Sequence, residues 1–219
     1  MTTEATESLK RVEAKIFPDQ YPESPRTSQD NLTTMVYGHR RYIVGDRQPD
    51  EDEVAILERG GWNTLLDAYL KRGDSHGDGK ILWARKYGLY AHSGVAIYLG
   101  GGASPFDPGG WDSGMVGIIF VTEGQRALLG VPLDTVEQSA LTEFKEYDQY
   151  LRGEVYGYSI TEYDICPTCQ HAQASEVTEQ CFGFIGDDPE KNGMADNVDE
   201  EYRQVLIDQY KKHGVTYGR

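Results

Sequence analysis

The stretch MVGIIFVT, residues 115–122, decides the reading of the fold. It is apolar enough, over a short enough run, to be a strand at the centre of a sheet. Two strand candidates precede it, ILWARKY (81–87) and GVAIYL (94–99), and MVYGHRRYIVG (35–45) adds the aromatic and β-branched enrichment of a fourth. Residues 100–114 form a long loop with six glycines and two prolines, the kind of segment that is either functional or badly ordered.

Helical patterns flank this group. Asp50 to Glu53 follow Pro49 and open a helix, with Asp50 as its cap and carboxylates in the first turn, until Gly60 and Gly61 interrupt it. Trp62, Leu65, Leu66, Tyr69 and Leu70 then recur at helical spacing as far as Gly73. A short helix is expected over 123–129. A longer one, capped by Asp134 or Thr135, carries the stripe Val136, Ala140, Phe144, Tyr147 and Leu151 before Gly153 stops it. EVYGYSIT (154–161) alternates as a half-buried strand, residues 170–180 are helix-like, and FGFIG (182–186) is a short strand. The last helix turns Tyr202, Val205, Leu206 and Tyr210 inward, with Lys211, Lys212 and His213 at the end that favours cations. Strands that are neighbours in sequence, with helices before and after them, predict an α+β fold: a largely antiparallel central sheet with helices packed against it. Residues 1–33, polar and broken by Pro18, Pro22 and Pro25, are expected as an extended or poorly ordered arm, leaving 34–219 as a single α+β domain.

The 219 residues carry 36 acidic against 21 basic side chains, a formal net charge of -15. This argues against direct nucleic-acid binding, which draws on Lys and Arg neutralising phosphates, and against attachment to an anionic membrane. Partners are expected to be proteins with a basic surface. The acidity is uneven, with 18 acidic and 14 basic side chains in residues 1–133 but 18 and 7 in 134–219. The amino terminus lacks the basic-then-apolar pattern of a secretory signal, and no apolar run approaches the roughly 20 residues of a membrane span. The expected location is the cytoplasm.

Four constellations bear on chemistry. Cys166-Pro-Thr-Cys169 with His171 and Cys181 supplies four ligands of the types that hold zinc tetrahedrally, although the second pair is irregularly spaced. The same Cys-Pro-x-Cys also fits a redox motif if a helix follows it. His92, Asp112 and Ser113 bracket the Gly-rich loop with the base, carboxylate and hydroxyl of a hydrolase. Asp112 adjoins the serine and is poorly placed to orient His92, Asp107 being the other nearby acid. Asp74, His76 and Asp78 begin like a calcium loop, but Arg85 stands where the bidentate Glu is needed, so a solvated turn is preferred. Finally, helical carboxylates three or four residues apart stand about 5–6 Å from each other. Glu143, Glu146, Asp148 and Glu154, with Asp199, Glu200 and Glu201, are therefore a candidate binding surface able to imitate a nucleic-acid backbone.

HSGVAI (92–97), WDSGMVGIIFV (111–121), YDQYLRGEVYGY (147–158), and Cys166-x-x-Cys169 with CFGFIG (181–186) together resemble an uncharacterised family of proteins encoded by bacteriophages and other mobile elements. The resemblance spans residues 81–186. It implies a setting rather than a mechanism: small acidic accessory proteins of this kind act on host machinery or host defences. The expected function is that of a non-enzymatic phage or mobile-element accessory protein in the host cytoplasm, binding a host or phage protein through an acidic surface. The alternatives are a small hydrolase-like enzyme centred on loop 100–114, or a zinc-stabilised binding module. No cofactor is required, zinc being the one candidate.

Overall fold

The computed structural model describes residues 9–72, 78–102 and 104–217. In chain order the elements are β1 (Leu9–Pro18), α1 (Pro25–Ser28), β2 (Thr34–Tyr37), α2 (Glu51–Arg72), β3 (Ile81–Ala91), β4 (Val95–Leu99), β5 (Ser113–Thr122) and α3 (Glu123–Leu128). There follow α4 (Val136–Leu151), β6 (Val155–Ile165), β7 (Ala172–Ile185), α5 (Met194–Asn197) and α6 (Glu200–His213). The fold is α+β, and every ladder between these strands is antiparallel. Two units divide the chain: a middle unit, Ser24–Arg152, and a terminal unit made of the segments on either side of it.

The middle unit holds a four-stranded sheet in the order β2-β5-β3-β4, so 115–122 does lie in a central strand, between β2 and β3. Its continuous apolarity follows from burial on both faces. Ile119 and Val121 pack with Phe144, Ala140 and Val136 of α4, whereas Ile118 and Phe120 pack with Leu65 and Tyr69 of α2. Gly117 is needed between them, because a Cβ there would sit 2.3 Å from the Val36 carbonyl and 2.6 Å from the Tyr87 ring. Asp50 and Glu53 cap α2 reciprocally: the Glu53 N–H donates to Asp50 Oδ1 (2.8 Å) and the Asp50 N–H to Glu53 Oε2 (2.9 Å). The interruption expected in this helix falls at Gly61, whose φ is +66°. Two carboxylates, Glu53 buried and Glu143 half-buried, fasten the unit. Glu53 takes both guanidinium nitrogens of Arg47 (2.6 and 2.8 Å) and the Tyr69 hydroxyl. Burial alone would raise its carboxyl, but these donors outweigh burial and hold it down at about 2. Glu143 accepts from Arg26, from the Thr33 hydroxyl and from the Leu32 N–H (2.7 Å), while Arg26 also grips Asp46 with two bonds of 2.7 and 2.6 Å.

The terminal unit holds a three-stranded sheet, β1-β6-β7, with β6 in the centre and α5 and α6 packed on it through Met194, Val198, Tyr202 and Leu206. Four expectations are corrected by the structure. The amino-terminal segment is no loose arm beyond residue 8: Leu9–Pro18 pairs along its whole length with β6, and Ala14 and Ile16 are buried. The reason is period two, since Val12, Ala14 and Ile16 share one face while Lys15 is exposed on the other. The single domain expected over 34–219 is divided, with residues from 153 onward joining β1. The helix-like 170–180 and the short strand after it form one long strand, β7, folded back on β6. The strand expected over 35–45 stops at Tyr37, because Gly38 starts a turn held by His39. Asp74 and His76 lie outside the described residues. No helix among those described is long and apolar enough to cross a membrane.

Candidate binding site

The richest grouping of functional side chains lies in the middle unit, where β3 ends, β5 begins, and the 38–44 and Gly-rich loops meet. Asp107 organises the Gly-rich loop. Its carboxylate accepts from the Asp112 N–H (2.7 Å) and the Ser113 hydroxyl (3.0 Å), and its carbonyl from the Gly110 N–H (3.0 Å). The slight desolvation that would raise its carboxyl is outweighed by the Asp112 N–H, then the Ser113 hydroxyl, so it lies below the usual carboxylate range. His92 Nδ1 meets Asp112 Oδ2 at 3.0 Å, both side chains being largely exposed. The three hydrolase candidates are thus neighbours in a different pairing. Ser113 Oγ donates to Asp107, and no hydrogen bond joins it to His92, so the base-to-nucleophile link of a serine hydrolase is not made.

Across from them the 38–44 turn is built around one imidazole. His39 Nδ1 accepts the N–H groups of Arg41 (3.3 Å) and Tyr42 (3.0 Å), and its ring stacks on Tyr42 at 5.2 Å. Arg41 lies over the same tyrosine, 5.6 Å from its centroid. Arg40 and Arg41 are exposed, and among the described residues neither pairs with a carboxylate. Between this turn and Trp111, which is 90% exposed, opens a cleft of about 600 Å³ with Leu89 and Val116 in its lining. Trp111 was already within the loop of interest; the arginines were hidden inside an expected strand. Their signal in sequence is an adjacent cationic pair in an acidic chain, placed just after Gly38 and His39.

The cysteine segment is a tight hairpin turn between β6 and β7. The Cys166 N–H donates to the His171 carbonyl (3.0 Å) and the Gln170 N–H to the Cys166 carbonyl (2.8 Å). Cys181 faces Tyr158, seven residues along β6 from Ile165, which pairs with Ala172 beside the turn. At about 3.3 Å per residue that is about 23 Å. Cys166, Cys169, His171 and Cys181 therefore do not form one zinc site, and among the described residues no group of three His, Cys, Asp or Glu does so elsewhere. The redox arrangement is also corrected, since the motif precedes a strand and not a helix. The Cys166 thiol is lowered all the same, first by the Cys169 N–H and then by that of Thr168.

The acidic candidates separate by unit. In the middle unit Glu143 is spent on the Arg26 cluster, and Asp148 accepts the Ile97 N–H (2.8 Å), joining α4 to β4. Glu146 is half-buried, and burial, then the neighbouring Glu143 charge, raises its carboxyl. These three do not make a free acidic stripe. In the terminal unit Asp199, Glu200 and Glu201 are exposed at the start of α6, whereas Glu154 lies at the far end of β6 from them. Comparison with protein-family models, with curated proteins and with solved structures found no match to this chain.

Proposed function

We propose that this is a non-enzymatic accessory protein of a phage or mobile element that binds a basic-surfaced host or phage protein through the acidic face of its terminal unit. The observation that carries this reading is a concentration of exposed carboxylates around the amino-terminal end of α6. Asp164, Asp196, Asp199, Glu200 and Glu201 are exposed, and Glu162 beneath them accepts from the Tyr202 hydroxyl at 2.9 Å. Their proximity registers electrostatically: the Lys10 ammonium is raised first by Glu162, then also by Asp164 and Glu201. The terminal unit carries 18 acidic side chains against 8 basic, the larger middle unit 18 against 13. Such a face attracts a cationic partner at long range and suits displacement of nucleic acid from a DNA-binding protein. The phage setting rests on the sequence resemblance, and interference with a host defence is the role it implies.

The test is affinity purification from host lysate with the wild type and with an Asp199→Lys, Glu200→Lys, Glu201→Lys triple variant. A partner retained at low salt, released at high salt and lost at least about tenfold with the triple variant supports the reading. Retention of the same partner by both proteins, or of none by the wild type, overturns it. Displacement of the partner by duplex DNA identifies the carboxylates as a backbone mimic.

A further inference from the structure

We infer that the middle unit carries a second docking site of opposite charge: the open edge of β5 at Ser113–Met115 takes an extended acidic peptide segment, which adds a strand to the sheet beside Trp111, Arg40 and Arg41. The edge arises because β5 outruns β2. β2 pairs only with Gly117–Phe120, and after the Gly38 N–H reaches the Val116 carbonyl (2.8 Å) the chain turns away at His39. On its other side β5 stays paired with β3 down to Ser113 opposite Tyr90, and the Ala91 N–H reaches the Asp112 carbonyl at 3.0 Å. In an antiparallel ladder the bonded and non-bonded positions alternate, so the bond at Asp112 turns the N–H and C=O groups of Ser113 and Met115 away from β3, toward the position β2 has vacated. No described strand occupies that position, and a Cβ on Gly114 would meet nothing within 4 Å.

Backbone groups in such a row are a template for an incoming strand. The side chains around the row select its chemistry. Among the described residues Arg40 and Arg41 have no carboxylate partner, in a chain of net charge -15, and Asp112 on the same rim is taken by His92. An acidic segment supplies the missing partners. Trp111, exposed over 90% of its surface at the mouth of the cleft, offers an apolar face to one large side chain of that segment. A nucleic acid would meet the same arginines but has no peptide backbone with which to use the strand edge.

The experiment uses the full-length protein and fluorescein-labelled peptides of about ten residues that alternate Glu with Val and carry one central Trp. Three comparison probes accompany them: the same peptide with Lys for Glu, the same peptide N-methylated at alternate residues, and a labelled oligothymidylate. The Glu peptide is expected to bind, the Lys and N-methylated peptides to bind at least about tenfold more weakly, and Arg40→Glu/Arg41→Glu and Trp111→Ala each to weaken the Glu peptide by about tenfold or more. Amide signals of Ser113 and Met115 shift on binding, which a surface charge contact alone would not cause. Four results overturn the inference: no binding of the Glu peptide, binding indifferent to N-methylation or to both variants, preferential binding of the oligothymidylate, or self-association abolished by Trp111→Ala, which would assign the edge to a second copy of the chain.

Discussion

The two sheets of this protein are stabilised differently. The middle-unit sheet is covered on both faces, by α2 on one and α4 on the other, and its central strand contributes side chains to two separate cores. The terminal-unit sheet has one buried face, the one that receives Met194, Val198, Tyr202 and Leu206, while exposed Lys15 belongs to the other. β5 buries every residue from Val116 to Thr122, whereas β1 buries only Ala14 and Ile16, so equal truncations cost unequal amounts.

The largest expected effect is Phe120→Ala. Phe120 is fully buried, and its ring meets Tyr69 edge-on at 5.0 Å between centroids. Truncation should lower unfolding free energy by about 3–5 kcal/mol in urea denaturation. A loss near 1 kcal/mol would mean that the α2 face is loosely packed and that the two sheets are covered alike.

Glu53→Gln comes next and separates burial from charge. Glu53 is 1% exposed, and its folded carboxyl, held at about 2, lies well below its ordinary 4.5. A depressed carboxylate contributes stability above its ordinary value and loses it as pH falls through the folded one. The shift corresponds to about 3 kcal/mol, and Gln also removes the charge that both Arg47 nitrogens bond to. The variant is expected to be about 3 kcal/mol less stable at neutral pH, with the gap to wild type closing between about pH 4.5 and pH 2. A pH-independent gap would show that Glu53 acts through shape and not charge.

Ile16→Ala examines the singly covered sheet. Ile16 is 3% exposed but sits on the outer strand β1, so a loss of about 2 kcal/mol, at the low end for such a truncation, is expected. A neutral result would restore the arm expected for residues 1–33.

The same contrast explains what could be read from the sequence. Continuous apolarity at 115–122 announced a doubly covered strand, and the stripe Val136, Ala140, Phe144 and Tyr147 announced the helix lying on it. β1 was obscured because a singly covered strand has polar residues at alternate positions, and Lys10, Arg11, Glu13 and Lys15 outweighed Val12, Ala14 and Ile16 in any compositional reading. β7 was obscured likewise, its register set by the hairpin at Cys166–His171 and not by its own weak pattern. In the site, His92, Asp112 and Ser113 were visible as neighbours in sequence, but their pairing was not, because Asp107 captures the serine from five and six residues upstream of the groups it binds. The open edge of β5 was invisible for a deeper reason: it exists only through the difference in length between two paired strands, one of which ends at a turn made by a histidine side chain.

The smallest expected effect concerns that hairpin. A zinc site built from Cys166, Cys169, His171 and Cys181 would clamp the two ends of β7 together, and a chelator would then lower Tm by many degrees. The β6–β7 register puts Cys181 about 23 Å along the sheet from the turn, and the turn closes through its own backbone bonds at Cys166 and Gln170. Thermal unfolding with and without EDTA should therefore agree within about 1 °C, against the roughly 2–4 °C that each kcal/mol is worth in a chain of this length. A larger drop on chelation would show that metal, and not the pairing of β7 with β6, orders the terminal sheet, and the two units would then differ in what holds them together as well as in how they are covered.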